Sequence, residues 1–135
     1  MQAYISISFT QRPFLNEAVT AIAAALRHHG IDAFVFVDQY HFEKEDAHAM
    51  MQQAFADIDR AGLLIAETSD KAIGIGIEAG YAKAKGKPVI YLRHATADHS
   101  TTLAGTSDQQ VVYENAQDLE TQLKAIVAIL LQPNR

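Results

Sequence analysis

The chain alternates apolar, strand-like runs with amphipathic helical stripes from end to end, and that alternation restricts it to the α/β class. Residues 4–8 read as a first strand, and Leu15, Val19, Ile22 and Leu26 then recur at steps of three and four, forming a helical stripe that stops at Gly30. Residues 33–37 (AFVFV) are continuously apolar and are followed by Ala47, Met50, Met51, Ala54, Phe55 and Ile58 at helical spacing. Residues 63–66 give a third strand. A helix from about Ile75 to Lys85 ends at Gly86, and Pro88 opens a fourth strand at 89–92. A polar loop spans 94–108, a short fifth strand spans 110–113, and Asn115 with Asp118 marks the start of a last helix carrying Leu119, Leu123, Ile126 and Leu130.

Strands that are apolar throughout need a sheet covered on both faces, and strand–helix alternation makes right-handed parallel crossovers the default. The expected architecture is a three-layer α/β sandwich around a five-stranded parallel sheet in the flavodoxin-like, Rossmann-like order 2-1-3-4-5. A ligand would then lie beyond the carboxyl ends of the strands, beside strand 1. Function is expected in the loops after Ser8, Val37, Ala66 and Leu92. With 135 residues, no internal repeat and no Pro/Gly/Ser linker, residues 1–135 read as one domain.

Composition removes several function classes. The sequence has no cysteine, so disulfides, thiol catalysis and thiolate metal sites are excluded, which fits a reducing compartment. No apolar run approaches the roughly 18 residues of a membrane span, and the start lacks the basic flank of a signal peptide, so a cytoplasmic protein with no membrane partner is expected. Lys plus Arg is 11 against Asp plus Glu 16, a formal charge of −5, which disfavours nucleic acid as a partner. A local site for one phosphate is still allowed. His41, Glu45 and His48 could share a helix face but lack a third ligand, so no metal is expected. The glycines near Glu78 follow strand 3 and match neither a dinucleotide fingerprint nor a Walker loop, so no cofactor is expected either.

The stretch that carries chemistry is residues 61–91, AGLLIAETSDKAIGIGIEAGYAKAKGKPVIY. Gly74 and Gly76 would permit a tight turn and close approach of a ligand to the backbone, and Glu78 follows at what reads as a helix start. First-turn N–H groups favour a negative charge, so Glu78 is expected to stay ionised, as a nucleophile or a stabiliser of positive charge requires. An acidic residue in an ordinary first helical turn would give the same string.

GIGIEAGYAKAKGKPVIY, preceded by LLIAETS, resembles the nucleoside 2-deoxyribosyltransferase family, including relatives that hydrolyse 2'-deoxynucleoside 5'-phosphates. The resemblance covers most of the chain, from the opening strand with its Ser-containing loop to a later Ser-containing loop. It implies that Glu78 is the nucleophile that attacks the anomeric carbon of the sugar and forms a covalent glycosyl-enzyme. It implies that Tyr4 lies near that nucleophile and orients it, and that Ser8 and Thr10, with Phe9 between them and Arg12 nearby, hold the 5' end in the loop that binds the 5'-phosphate in the nucleotide-hydrolysing members. Ser100 matches a serine that family dimers contribute to a neighbour's site, implying a homodimer or a higher homo-oligomer. Ordinary helix capping before Pro13 would also account for Ser8, Thr10 and Arg12, and a polar loop for Ser100.

Three positions depart from the family pattern. The aspartate expected twenty-four positions before the nucleophile is Ala54, the acidic or serine residue six before it is Ala72, and the Ala-Asp ahead of strand 3 is Ala61-Gly62. Asp57, one helical turn after Ala54, could take over assistance to the leaving base, whereas Asp59 and Asp70 read as surface acids. Phe34 and Phe36 read as core; Phe9, Tyr40 and Phe42 are loop candidates for stacking on a base. The function expected is cleavage or transfer of the N-glycosidic bond of a nucleoside or nucleotide through a glycosyl-glutamate. The competing expectation, motivated by Ala54 and Ala72, is a binding or regulatory module that keeps the pocket without catalysis. Cleavage of the nicotinamide bond of NAD is a third reading, by analogy of fold.

Overall fold

The computed structural model describes residues 1–132. Strands β1 (Gln2–Ser6), β2 (Asp32–Val35), β3 (Leu63–Glu67), β4 (Val89–His94) and β5 (Gln109–Tyr113) form one parallel sheet in the order β2-β1-β3-β4-β5. This is the order expected from the alternating pattern. Helices α1 (Asn16–Arg27) and α6 (Ala116–Leu130) pack on one face. Helices α3 (Ala47–Arg60), α4 (Ile73–Ala84) and the short α5 (Thr101–Thr106) cover the other, and a single turn of helix, α2 (Phe36–Gln39), follows β2. Leu64, Ile65, Ile90 and Leu92 of the two central strands are fully buried, each contributing about 1.5–3 kcal/mol of hydrophobic stabilisation.

Strand boundaries differ from the sequence pattern where pairing runs out. β1 is paired with β3 from Ala3–Leu63 to Ser6–Ala66 and with β2 from Gln2–Asp32 to Ile5–Val35. It therefore begins and ends two residues earlier than its apolar run suggests, and Ser8 lies in the loop beyond the sheet. The apolar run 33–37 is likewise not all strand. Past Val35 the edge strand has no further partner on β1, and Phe36 opens α2 instead, tucking its ring against Tyr4 with centroids 5.8 Å apart. Phe36 is buried and Phe34 half-buried, both on the α3/α4 side, in keeping with their expected core role.

Helix ends follow local chemistry. Gly30 and Gly86 adopt φ of +72° and +74° just past α1 and α4, the left-handed geometry that glycine takes without steric cost. Asn115 caps α6 by accepting from the Asp118 backbone N–H at 2.9 Å. Helix α5 falls within what reads as a polar loop: Leu103 is its only buried residue, so no apolar stripe announces it, and it is started by Ser100 Oγ accepting from the Leu103 N–H at 3.2 Å.

Candidate active site

Side chains on a strand alternate between faces, so Tyr4 and Ser6 of β1 both point toward the α3/α4 layer while Ile5 points away. Helix α4 turns Ile75, Ala79 and Ala82 inward against that face, and Glu78 sits beside this buried line. The result is a contact between segments 72 residues apart: Ser6 Oγ donates to Glu78 Oε1 at 2.7 Å. Ser6 is 1% exposed and Tyr4 0%, so both are fixed by packing. The Tyr4 hydroxyl makes no hydrogen bond of good geometry among the described residues. It is close enough to Glu78 for a weaker polar contact that, with the Ser6 bond, favours the carboxylate.

The electrostatics of Glu78 correct one expectation. α4 starts at Ile73, not near Ile75, so Glu78 occupies the second turn, where the pull of the free N–H groups has faded. Burial dominates and pushes its carboxyl above the ordinary value, the Ser6 hydrogen bond and the weaker Tyr4 contact offsetting part of the rise. Burial, and then the neighbouring Glu78 charge, in turn raise the Tyr4 phenol well above its ordinary range. Glu78 is thus a carboxyl whose proton is easier to keep than that of a surface glutamate.

Gly74 and Gly76 lie inside the helix and make no tight turn, since neither has a positive φ. A side chain at either would meet nothing within 4 Å, so the surface over this turn is open. Next to it is a cleft of about 250 Å³ lined by Thr68, Ala72, Ile75, Gly76, Ser100 and Leu103 among others, though not by Glu78 itself. Ser100 reaches this cleft from its own chain while its hydroxyl caps α5, and its N–H donates to the buried Tyr91 hydroxyl at 2.8 Å.

The remaining expected residues divide. Asp57 is buried on α3, with Oδ2 accepting from the Tyr40 hydroxyl at 3.0 Å and Oδ1 from Gln53 Nε2 at 3.0 Å and from Arg60. It lies within electrostatic reach of Tyr4, yet its oxygens are held by these partners. Tyr40 and Phe42 join Phe36 in an aromatic group over Tyr4, with Phe36 and Phe42 stacked at 6.1 Å and an interplanar angle of 10°. Phe9 is 72% exposed and Thr10 is exposed. Arg12 does not present a free guanidinium to the loop after β1. It is clamped by Asp38, through Nε at 2.8 Å and Nη2 at 2.9 Å, and by Asn16 Oδ1 at 2.8 Å. Ser8 instead donates to Asp70 Oδ2 at 3.1 Å, so an acid that read as a surface residue is part of this group. His41 pairs with Glu43 at 2.7 Å on the surface, and among the described residues no three His, Asp or Glu side chains cluster to hold a metal.

Ser6 is the residue that the sequence reading passed over. The available signal was its place two residues from Tyr4, a polar side chain on the same face of an otherwise apolar buried strand.

Comparison with known proteins bears on fold and family. Among curated proteins no relative matches. The chain is similar in structure to a CMP N-glycosidase, BcmB, from Clostridium botulinum, with a TM-score of 0.64 and 17% identity over 93% of this chain and 99% of that one. It is also similar to a 2-deoxyribosyltransferase from Bacillus psychrosaccharolyticus, with a TM-score of 0.67 and 18% identity over 91% and 96%. A conserved protein from Enterococcus faecalis V583 gives a TM-score of 0.70 and 16% identity over 93% and 98%. At these identities the likeness is one of fold. The family model described as nucleoside 2-deoxyribosyltransferase matches residues 4–129, a span that includes Tyr4, Ser6 and Glu78, and the chain belongs to that family.

Proposed function

We propose that this protein breaks the N-glycosidic bond of a 2'-deoxynucleoside or nucleotide, with Glu78 as the nucleophile. The observation that carries the reading is the carboxylate of Glu78, held at Oε1 by Ser6 at 2.7 Å beside Tyr4 and next to an open, glycine-lined turn. Fixing one oxygen leaves Oε2 to meet C1' of a sugar laid over the turn. In the first step Oε2 attacks C1', the C1'–N bond breaks, and the base leaves with the bonding electrons and takes up a proton. In the second, water or the nitrogen of an acceptor base attacks C1' and releases its proton to solvent, the ester bond breaks and the carboxylate is regenerated. Two displacements at one carbon retain its configuration. Water gives hydrolysis, and a base gives transfer. Membership of the family and the fold shared with a CMP N-glycosidase and a 2-deoxyribosyltransferase support the reaction class.

The partner on this reading is a small-molecule nucleoside or nucleotide. A homo-oligomer belongs to the same reading, supported by the exposed Ile73 and Ile77 of α4, which leave an apolar strip next to the Ser100 cleft. Intact-mass analysis of protein quenched during turnover tests the mechanism. A deoxyribosyl increment that maps to Glu78 is expected, and turnover with no such adduct and no effect of Glu78→Ala would remove it.

One observation favours a second reading, a binding module without turnover. Asp57 is fully engaged by Tyr40, Gln53 and Arg60, and Ala54 is buried among hydrocarbon, so no free acid on α3 stands ready for the leaving base. Thermal stabilisation by nucleosides with no release of free base would select that reading.

A further inference from the structure

We infer that residues 37–42 form a latched lid beside the proposed nucleophile, which a nucleoside lifts before its sugar reaches Glu78; the inference rests on the reaction proposed at Glu78. The side of α4 from which a sugar arrives follows from helix geometry. With roughly 100° between successive residues, Glu78 stands on one flank of the inward line Ile75, Ala79 and Ala82, and Ala72 and Gly76 stand on the other. Ala72 and Gly76 line the Ser100 cleft together with Leu103 of α5, so that cleft lies on the far flank. Glu78 instead faces β1 through Ser6, with Gly74 one turn earlier on the same flank. A base carried on C1' over this flank falls above Tyr4, and that space is taken. Phe36 lies 5.8 Å from the Tyr4 ring, and Tyr40 and Phe42 pack on Phe36 at 5.1 and 6.1 Å. Tyr4 is fully buried beneath them.

The lid is held by side chains rather than by the sheet. β2 ends at Val35, and among the described residues no backbone hydrogen bond joins residues 38–42 to a strand. Two contacts close it. Asp38 takes Arg12 through Nε at 2.8 Å and Nη2 at 2.9 Å, and the Tyr40 hydroxyl donates to Asp57 Oδ2 at 3.0 Å. At its ends Phe36 is buried, and Glu43 is tied to Asp46 by its N–H at 3.0 Å and its carbonyl at 2.9 Å, so the segment between them swings on fixed points. A unit with few backbone bonds and two side-chain latches opens at well below the cost of unfolding the domain. Apparent affinity for a nucleoside is then reduced by the fraction of molecules that are open, and weakening a latch raises it.

Tyr40→Phe keeps the ring and removes one latch. It is expected to lower KM for base release from a 2'-deoxynucleoside by about three- to tenfold, and to speed hydrogen exchange of the 38–42 amides about tenfold while those of β3 stay unchanged. Either value left unchanged overturns the inference. A second test closes the lid permanently. The sequence has no cysteine, so Asn16→Cys with Asp38→Cys gives one addressable pair. Both native side chains touch the Arg12 guanidinium, which puts the two positions within reach of a short bismaleimide that carries a reducible disulfide. The linked protein is expected to lose at least about tenfold in kcat/KM and to lose its thermal stabilisation by the nucleoside, and reduction of the linker restores both. Equal activity or equal stabilisation before and after reduction overturns the lid. Exchange and thermal shift need no turnover. If no form releases base, the proposed reaction at Glu78 fails, while a nucleoside shift that appears only after reduction still supports the lid.

Discussion

Ser6 and Glu78 are joined by a 2.7 Å hydrogen bond that ties the end of the inner strand β1 to the second turn of α4. The bond fixes one carboxylate oxygen from a rigid strand and works against the burial that otherwise disfavours the anion.

Replacing Glu78 by glutamine removes the proposed nucleophile while keeping the Ser6 partner. Base release is expected to fall by at least about 10³-fold. Stability should move the other way. The folded-state pKa of Glu78 is raised, so the folded protein holds this proton more tightly, and stability is lost as pH rises from the ordinary glutamate value through the folded value. Glu78→Gln should therefore melt higher than the wild type at pH 7–8, with the gap closing below about pH 4, where both states of the wild type are protonated. Thermal melts across that range check the sign.

The rate should carry the same signature. Attack needs the carboxylate, so kcat/KM is expected to rise with pH along a limb set by Glu78 and displaced above the ordinary glutamate range. Ser6→Ala removes a bond that favours the anion. It should move the limb to still higher pH and lower the rate at neutrality by about tenfold. A pH–rate profile of Ser6→Ala that overlays the wild type would show that the bond has no part in the chemistry.

Asp57 is 2% exposed and satisfies Tyr40, Gln53 and Arg60. Asp57→Ala leaves the Tyr40 hydroxyl without its acceptor and is expected to cost about 1–3 kcal/mol. Asp57→Asn, which keeps an acceptor oxygen, should cost less. Denaturant unfolding measures both, and base release measured in the folded Asn variant shows whether the carboxylate also assists the leaving base.

Ser100 combines a capping hydroxyl with a place on the cleft wall. If capping is its whole role, Ser100→Ala costs about 1 kcal/mol and Ser100→Gly only a few tenths, and neither changes KM. A rise in KM for both variants at unchanged stability would assign the hydroxyl to substrate instead.

The fold was legible because its determinants are local and periodic. Apolar runs of strand length, stripes such as Leu119, Leu123, Ile126 and Leu130, and the stops at Gly30 and Gly86 each act within a few residues, and handed crossovers leave few ways to assemble them. Glu78 was singled out by the family resemblance of the string around it, since the glycines alone fit an ordinary first helical turn as well. Its surroundings were not. Burial on α4 depends on which face the helix turns toward β1, and this set the direction of the Glu78 pKa against the expectation from a helix start.

What the sequence by itself determined is the order of strands and helices, since hydrophobic period is written along the chain; Glu78 stands out there only through the family resemblance of the string around it. The partners were decided only by tertiary structure. Ser6 meets Glu78, Ser8 meets Asp70 and Arg12 meets Asp38 across 72, 62 and 26 positions. A hydrogen bond formed over such a separation depends on strand register and helix rotation, and packing of the whole sheet fixes both.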